Sequence, residues 1–391
     1  MSPIATILAV VFAVAIPAVF LLIIYTLDLY ASRTFGLVML CFAWGGVGGI
    51  GLSFLFNTHV AVPLIRNQGW DSALLYVAFA PVAEEIFKSL SLFYVSRRSE
   101  FTYFVDGAIY GFAAGIGFSI AENILYLQYY PDQGIALSLV RSFSVCLMHG
   151  AAAGLVGAAV GRFRFRKRSG RGLAMLAGWG AAILLHAFFN SIAKTYWLSD
   201  LLGEGATVPM QVGVGLAGVG LIALFITLGL REQRQWFAET LDRKMGVSGA
   251  EVRAAQSYSD ISEVLEPIAA QFPNQAEQVE ALLLRQAQMG IKRKVQQQLD
   301  DEKLEEQIGR EIEELQAEMQ QLRKEIGPYV MTFVRAVFPE GMLDMWARLE
   351  AVALQAGPAD VKRWTEMLQD KDAASSTRSI FGRLQGTDDD S

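Results

Sequence analysis

The first 230 residues of the chain contain very little charge. Residues 1–230 hold only 10 Asp and Glu and 13 Lys and Arg, whereas residues 231–391 hold 29 and 20. The overall net charge of −6 is therefore the sum of +3 and −9. Hydrophobic residues make up 53% of the chain and the mean hydropathy is +0.33, too apolar for an ordinary soluble protein. The sequence thus predicts a lipid-embedded part followed by an acidic, water-exposed part.

Cysteine and the common hydrolase motifs are also scarce or missing. Cys41 and Cys146 both lie inside apolar runs, which argues for buried structural cysteines and against a disulfide framework or a thiolate metal site. The sequence has no H-E-x-x-H motif, no serine in a nucleophile elbow and no pair of membrane aspartates. These absences exclude an ordinary zincin, a serine hydrolase of that type and an aspartyl protease.

Long apolar runs are the most prominent feature of the first 230 residues. A helix needs about 20 residues to cross a bilayer, and seven runs are long enough. They lie at 3–27, 35–56, 72–95, 104–127, 135–161, 172–196 and 208–230. We therefore predict an all-α fold: a polytopic membrane helix bundle of about seven transmembrane helices with a C-terminal cytoplasmic helical and coiled-coil region.

Basic residues predict the orientation of these helices. The loop at 162–171 contains six Lys and Arg, and Arg33, Arg97 and Arg98 follow the first and third runs. The loops on the opposite side of the membrane hold two or three basic residues. Because basic loops stay on the cytoplasmic side, we expect a multi-pass protein of the plasma membrane with its N-terminus outside and its tail in the cytoplasm.

The third run contains three charged residues, and each costs a few kcal/mol in a membrane. Glu84 and Lys88 are four residues apart, and Glu85 and Lys88 three, so both glutamates share a helix face with the lysine. Pro81 cannot donate to the preceding turn, which should bend the helix and free a carbonyl near these side chains. An internal ion pair would explain one glutamate but leaves the second without a partner.

Three further runs add polar groups. Glycines recur every four residues at 107, 111 and 115, a pattern typical of close helix packing, and Glu122 lies near the other end of the same run. His149 lies in the next run, and His186 and Asn190 lie one helical turn apart in the run after that. His59 is expected in an outer loop, without a role.

The depths of these residues agree. Counted inward from the outer face at 1.5 Å per residue, Glu84, Glu122, His149 and His186 lie roughly 8 to 21 Å deep. Polar residues that only pack separate helices together would not need to lie at the same depth. The shared depth therefore predicts that these residues form one site. Carboxylates and imidazoles suit two hydrolytic chemistries: zinc with a bound water, or a buried carboxylate that deprotonates water directly with histidine and asparagine as oxyanion donors.

The motifs EE-x-x-K at 84–88, F-x-x-x-E-N at 118–123, His149 and H-x-x-x-N at 186–190 resemble the PrsW family of intramembrane proteases. That family is related to the CAAX prenyl protease type II and ABI superfamily. The resemblance covers about residues 72–196, a third of the chain. It implies cleavage of a membrane-anchored protein substrate within or close to the lipid bilayer. CAAX-type relatives have an arginine at longer spacing where this chain has Lys88, which favours protein cleavage over prenyl-peptide processing.

The resemblance also implies roles for the residues. Glu84 or Glu85 would activate the water, and Asn190 would steady the oxyanion. His149 and His186 would bind a metal or hold the water, with Glu122 as a further metal ligand. The metal would be Zn²⁺, and a metal-free glutamate mechanism stays open beside it.

The domain prediction follows the charge boundary near Leu230. Residues 1–230 form the transmembrane protease-like domain, 231–372 a cytoplasmic helical domain with a short coiled coil, and 373–391 a disordered acidic tail. Six apolar residues in 4-3-4-3-4 spacing predict the coil or, equally, a helical hairpin or bundle: Ile308, Ile312, Leu315, Met319, Leu322 and Ile326. We expect this tail to self-associate or to bind a cytoplasmic protein, and we expect no nucleic acid partner.

Two other classes of function remain open at this point. A transporter or proton relay would also place carboxylates and histidines in the membrane, although no internal repeat relates the two halves of the membrane part. A non-catalytic scaffold would use the polar cluster only to hold helices together. Peptide cleavage, ion uptake and an effect of tail deletion distinguish the three classes.

Overall fold

A computed structural model describes residues 2–28, 35–164, 168–194, 201, 203–240, 265, 268–299 and 301–337, and these residues contain helices and no strand. The longer helices are α1 (Pro3–Thr26), α2 (Phe35–Gln68), α3 (Ala80–Lys88), α4 (Leu90–Val95), α5 (Phe104–Tyr129), α6 (Gly134–Phe143), α7 (Val145–Arg162), α8 (Arg168–Lys194), α9 (Thr207–Thr240), α10 (Ala276–Gln298), α11 (Glu302–Ile326) and α12 (Pro328–Val337). The all-α prediction is confirmed.

Six stretches of the described residues are helical, long and apolar enough to cross a membrane, so the protein is a multi-pass membrane protein. They are Pro3–Thr26, Phe35–Gln68, Phe104–Tyr129, Pro131–Arg162, Gly172–Ala193 and Thr207–Gln233. The seventh predicted run, 72–95, is broken into a π-helical segment, α3 and α4. Its helix is interrupted at Ser89, immediately after the charged residues.

Helix α2 is longer than predicted. The apolar run ends at residue 56, but the helix continues through a π-helical segment, Asn57–Ala61, and stops at Gly69, whose φ of 65° ends it. The prediction that His59 lies in an outer loop is therefore wrong, because His59 is an exposed residue of this helix. The polar side chains after residue 56 end the hydropathy signal without ending the backbone hydrogen bonding.

Prolines follow two π-helical segments at the same spacing. The segment Leu75–Phe79 ends two residues before Pro81, and Asn57–Ala61 ends two residues before Pro63. In the first, the Ala80 N–H donates to the Leu75 carbonyl five residues back. In that register the next donor would be residue 81, which has no N–H. The bend and the free carbonyl expected at Pro81 stay predictions.

The crossing of α5 and α7 shows why the glycine pattern is there. A Cβ atom on Gly107, Gly111 or Gly115 would collide with a backbone carbonyl of α7, the last of these being that of His149. The two helices therefore pack backbone to backbone, as the four-residue glycine spacing predicted. Helix α5 is buried almost throughout, between α7, α2, α1 and α9.

The outer helices α1, α2, α8 and α9 expose large apolar side chains. Examples are Ile4, Val47, Leu184 and Leu224, which are 51–76% exposed. In water such a surface would be unfavourable, whereas it matches the hydrocarbon of a bilayer. These outer helices thus present an apolar surface that suits contact with lipid.

The predicted coil segment is helix α11, and it packs against α10 as a hairpin. Lys292 on α10 pairs with Glu311 on α11. Arg285 lies seven residues earlier on α10, and its partner Glu318 lies seven residues later on α11. This register is antiparallel. The apolar face that predicted a coil is buried here, which realises the hairpin alternative.

Contacts group Met1–Met331 into one compact unit, and α9 runs without a break across residue 230. The division into domains at residue 230 stays a prediction. The predicted disordered tail, 373–391, and residues 338–372 of the predicted helical domain lie outside the described residues.

Candidate active site

The site is centred on a fully buried ion pair. Lys88 Nζ donates to Glu85 Oε1 over 2.7 Å, and neither side chain is exposed. The spacing of three residues on α3 brings them together on one face. Because a lone buried charge is far more costly than a pair, each residue needs the other here.

Glu85 also orients a histidine. His186 Nδ1, on α8, lies 2.8 Å from Glu85 Oε1, and a carboxylate can only accept, so Nδ1 carries the proton. The other ring nitrogen, Nε2, then has a free lone pair and lies 3.8 Å from Glu84 Oε2. A carboxylate behind a histidine is the arrangement that prepares imidazole as a metal ligand.

His149 is held from the opposite side of the lysine. Its Nδ1 lies 2.8 Å from Lys88 Nζ and its Nε2 lies 3.3 Å from Glu122 Oε2. An ammonium group only donates, so Nδ1 accepts and Nε2 carries the proton toward Glu122. The two histidine rings are 4.7 Å apart, edge to face, and Phe118 packs against His149 at 5.1 Å.

Arg141 is the partner of Glu122. Its Nη2 donates to Glu122 Oε2 and its Nε to Asn123 Oδ1, each over 2.7 Å. Its guanidinium also stacks on the Tyr126 ring at 3.8 Å. The break at Ser144 between α6 and α7 lets arginine and His149 approach Glu122 from consecutive helices. Arg141 is thus part of the site, whereas the sequence suggested only a basic residue near the end of a run.

Asn190 binds a backbone carbonyl of the π-helical segment before α3. Its Nδ2 donates to the Tyr76 oxygen over 2.8 Å, which ties α8 to the π-helical segment before α3. One turn earlier on the same helix, His186 faces Glu85. The H-x-x-x-N spacing therefore fixes α8 against the glutamate helix at two points.

A cavity of about 360 Å³ opens onto these groups. Its lining includes Glu84, Glu122, Arg141, His149 and His186, together with Asn57, Asn190 and Gln211. Glu85 is not among the lining residues, so its carboxylate acts from behind the cavity wall. Such a cavity, mostly apolar with convergent polar groups, is typical of a small-molecule or peptide site.

Three of these side chains form a possible donor set for a metal. One ligand atom from each of Glu84, His149 and His186 lies within 4.8 Å of the other two. Two imidazoles and a carboxylate, with room for water, form a ligand set that catalytic zinc uses, so these residues fit a divalent metal. His149 can supply Nε2 only when the proton it directs at Glu122 has left, and metal binding releases protons in this way.

The structure brings together all six residues that the sequence singled out. Glu84, Glu85, Glu122, His149 and His186 form one connected cluster, and Asn190 lies beside it. The compact metal-like set contains Glu84, whereas the sequence suggested Glu122 for this role. Sequence reasoning missed Arg141 and Asn57. A charge inside an apolar run was a usable signal for arginine, but nothing in the sequence marked Asn57.

Comparison with known proteins identifies a family for the membrane part of the chain. A family model described as PrsW family intramembrane metalloprotease matches residues 33–228, half of the chain. A protein of Halalkalibacterium halodurans described as Protease PrsW is 27% identical over 181 residues, which are 46% of this chain and 80% of that protein. No solved structure matches the chain. The motif resemblance is therefore confirmed, and the chain belongs to the PrsW family of intramembrane metalloproteases.

Proposed function

We propose that the protein cleaves a membrane-anchored protein substrate at a peptide bond within or close to the bilayer, as a step in regulated proteolysis or signalling. The observation that carries this proposal is the convergence of Glu84, His149 and His186 on one cavity. Groups that cost energy in a membrane persist where they perform a function.

Glu84, His149 and His186 would hold a zinc ion. When bound there, zinc supplies a water that is readily deprotonated near neutral pH and polarises the substrate carbonyl. Glu85 and Lys88 are positioning residues in this proposal. Glu85 fixes the His186 tautomer, and Lys88 fixes Glu85 and His149 through two hydrogen bonds.

Glu122 is the proposed general base. One of its oxygens, Oε2, accepts from Arg141, which leaves Oε1 to accept the proton of the attacking water. Glu122 then returns that proton to the leaving amine, so the carboxylate ends as it began. The guanidinium of Arg141 lines the same cavity and stabilises the negative charge that develops on the substrate oxygen.

Asn190 shapes the wall of the cavity. Because its Nδ2 holds the Tyr76 carbonyl, the segment before α3 keeps the conformation in which Glu84 faces the histidines. Its proposed contribution to the oxyanion is thus indirect.

Cleavage of a tagged membrane reporter tests the proposal. We expect Glu84→Gln and His149→Ala each to lower the rate by about 10²–10⁴-fold, because each removes a proposed ligand group. Glu85→Ala should lower it by about 10–100-fold or more, the usual effect of losing a residue that orients a metal ligand. Asp132→Asn, which removes an exposed acidic charge outside the cluster, should cleave like the wild type. Full cleavage by Glu84→Gln and His149→Ala would contradict the proposal.

Metal analysis of the purified protein tests the ligand set separately. The wild type should retain zinc, and the double variant His149→Ala and His186→Ala should lose it while still inserting in the membrane. Zinc retained at wild-type levels by the double variant would remove these histidines from the ligand set.

A further inference from the structure

Asn123 follows the proposed general base, Glu122, on α5, but it takes no part in the proposed catalytic steps. Its side chain is 1% exposed and is hydrogen-bonded at both ends. Its Oδ1 accepts from Arg141 Nε over 2.7 Å, and its Nδ2 donates to Cys146 Sγ over 3.0 Å. A buried amide therefore lies between the arginine of the active site and the first turn of α7.

The chemistry of the two partners fixes the orientation of this amide. A guanidinium nitrogen can only donate, so the amide oxygen of Asn123 has to face Arg141. The amide nitrogen then points at Cys146, whose sulfur is a weak acceptor. If the amide turned over, two donors would meet at the arginine, which is unfavourable in a buried place. Asn123 thus presents an oxygen to the arginine and keeps it there.

Three contacts with α5 restrain the guanidinium of Arg141. Its Nη2 donates to Glu122 and its Nε to Asn123, so neighbouring residues of the helix occupy two adjacent nitrogens. Its face stacks on the ring of Tyr126, one turn further along the same helix. Because a guanidinium is planar and rigid, the ring fixes its tilt and the two hydrogen bonds fix its rotation.

Without Asn123 this restraint would be incomplete. The hydrogen bond to Glu122 would remain, but a single bond lets the group turn about it, and stacking on a ring permits rotation in the plane of the ring. Asn123 is also neutral. A second carboxylate at this position would compete with Glu122 for the positive charge, whereas an amide directs the arginine and leaves that charge to the active site.

We propose that Asn123 is a positioning residue, which holds Arg141 in the rotation that aligns Glu122 with the attacking water and stabilises the substrate oxygen. The inference rests on the proposed function, because that function gives Glu122 and Arg141 their catalytic tasks. Asn123 contacts no reacting atom itself. Cys146 fixes the amide in turn, so this buried cysteine begins a chain of hydrogen bonds that ends at the general base.

The first test is Asn123→Leu, which keeps nearly the same shape and removes the acceptor. We expect kcat for a transmembrane peptide in lipid vesicles to fall about tenfold, the effect of one lost hydrogen bond. KM should change less than about twofold, because the groups that Asn123 aligns act in the transition state. Ser138→Ala is the matched control. It removes a buried hydrogen bond to the Gly134 carbonyl on α6 and should leave kcat unchanged.

The second test repeats Asn123→Leu in a chain that already carries Arg141→Met. The arginine substitution alone should lower kcat by about 10²–10³-fold, the usual effect of losing a donor to the developing oxyanion. Adding Asn123→Leu should then change kcat by less than about twofold, because the residue that Asn123 positions is absent. A residue that only supports the fold would lower kcat in both backgrounds.

Cys146 provides a third test that leaves every charge in place. Cys146→Ser retains an acceptor for the Asn123 amide and should keep kcat within about twofold of the wild type. Cys146→Val removes the acceptor and should lower kcat about threefold, with KM unchanged.

Two results would overturn the inference: wild-type kcat in Asn123→Leu, or equal falls in kcat from this substitution with and without Arg141. A lowered thermal midpoint with unchanged kcat would likewise overturn it, since Asn123 would then support only the fold. Failure of the proposed function is different, because Glu84→Gln would then cleave the peptide as well as the wild type does.

Discussion

The membrane site and the α10–α11 hairpin both contain ion pairs, but in opposite settings. Lys88 and Glu85 are 0% exposed, whereas Arg285 and Glu318 are 29% and 43% exposed. In the membrane the pair is connected to two histidines and has no water to replace a lost partner. On the hairpin, water solvates either charge when the other is absent. A pair of opposite charges is thus indispensable to the site in one region and contributes little to stability in the other.

The helices of the two regions also associate differently. Helices α5 and α7 meet through glycines, since lipid gives no hydrophobic reward for large side chains and close backbone contact must replace it. Helices α10 and α11 meet through buried isoleucine, leucine and methionine side chains, as helices do in water. Substitutions of the same kind should therefore have different consequences in the two regions.

The largest expected difference concerns the lysine. Lys88→Met leaves Glu85 charged, buried and without its ammonium partner, which should cost about 3–5 kcal/mol of unfolding free energy. Arg285→Met on the hairpin should change stability by about 0.5 kcal/mol or less. Chemical denaturation of both variants in bicelles provides the comparison. Equal destabilisation would show that burial does not separate the two pairs.

Glycine substitutions should have opposite signs in the two regions. Gly111→Ala places a methyl group against the Ala153 carbonyl and should destabilise by about 1–3 kcal/mol, because backbone cannot move aside easily. Gly309→Ala on α11 meets only the flexible end of Gln296 and should stabilise by up to about 1 kcal/mol through helix propensity. Thermal unfolding of each variant measures the sign. If both variants lost a similar amount of stability, the α5–α7 and α10–α11 contacts would not differ in the way described.

The smallest expected effect is a pH dependence of the stability of the α10–α11 hairpin. Burial acts to raise the pKa of Glu311, but the Lys292 ammonium at 2.6 Å and further hydrogen bonds hold it below its ordinary value of 4.5. A carboxyl with a lowered folded pKa adds stability that is complete above its unfolded pKa and is lost as pH falls through the folded pKa. We expect a loss of about 0.5–1 kcal/mol below roughly pH 4.5, since the pair is partly exposed.

Hydrogen exchange of α10 and α11 amides, corrected for intrinsic rates, measures this loss in the full chain. Lys292→Met should already have weakened protection at neutral pH and should show a shallower pH dependence. Glu318→Gln, at the more exposed pair, serves as the control. An unchanged pH dependence in Lys292→Met would mean that another group titrates.

Much of the site followed from one rule of membrane energetics. Glu84, Glu85, Glu122, His149 and His186 are polar groups inside apolar runs, and such groups are rare unless they meet. The glycines of α5 predicted the crossing that holds His149 in place. These features depend on local spacing and on hydrophobicity, which a sequence displays directly.

The rest depended on geometry that spacing does not encode. The extension of α2 past residue 56 was missed because hydropathy falls there while the backbone continues in a π-helical register. Asn57 gained its position through that register, and Arg141 through the break at Ser144. Glu84, and not Glu122, forms the compact possible metal-ligand set with the two histidines. That difference depends on side-chain positions that differ by a few ångströms, which the sequence does not encode.

The separation of the paired residues along the chain has a consequence for biogenesis. Lys88 finds His149 61 residues later, and Glu85 finds His186 101 residues later. At a synthesis rate of about 5–20 residues per second, the glutamate helix waits roughly 5–20 s before its last partner leaves the ribosome. During that interval the three charges of this segment lack their later partners, and each costs a few kcal/mol in lipid. We therefore expect the nascent segment 72–95 to be sheltered by the insertion machinery or by the helices already made until α8 has emerged.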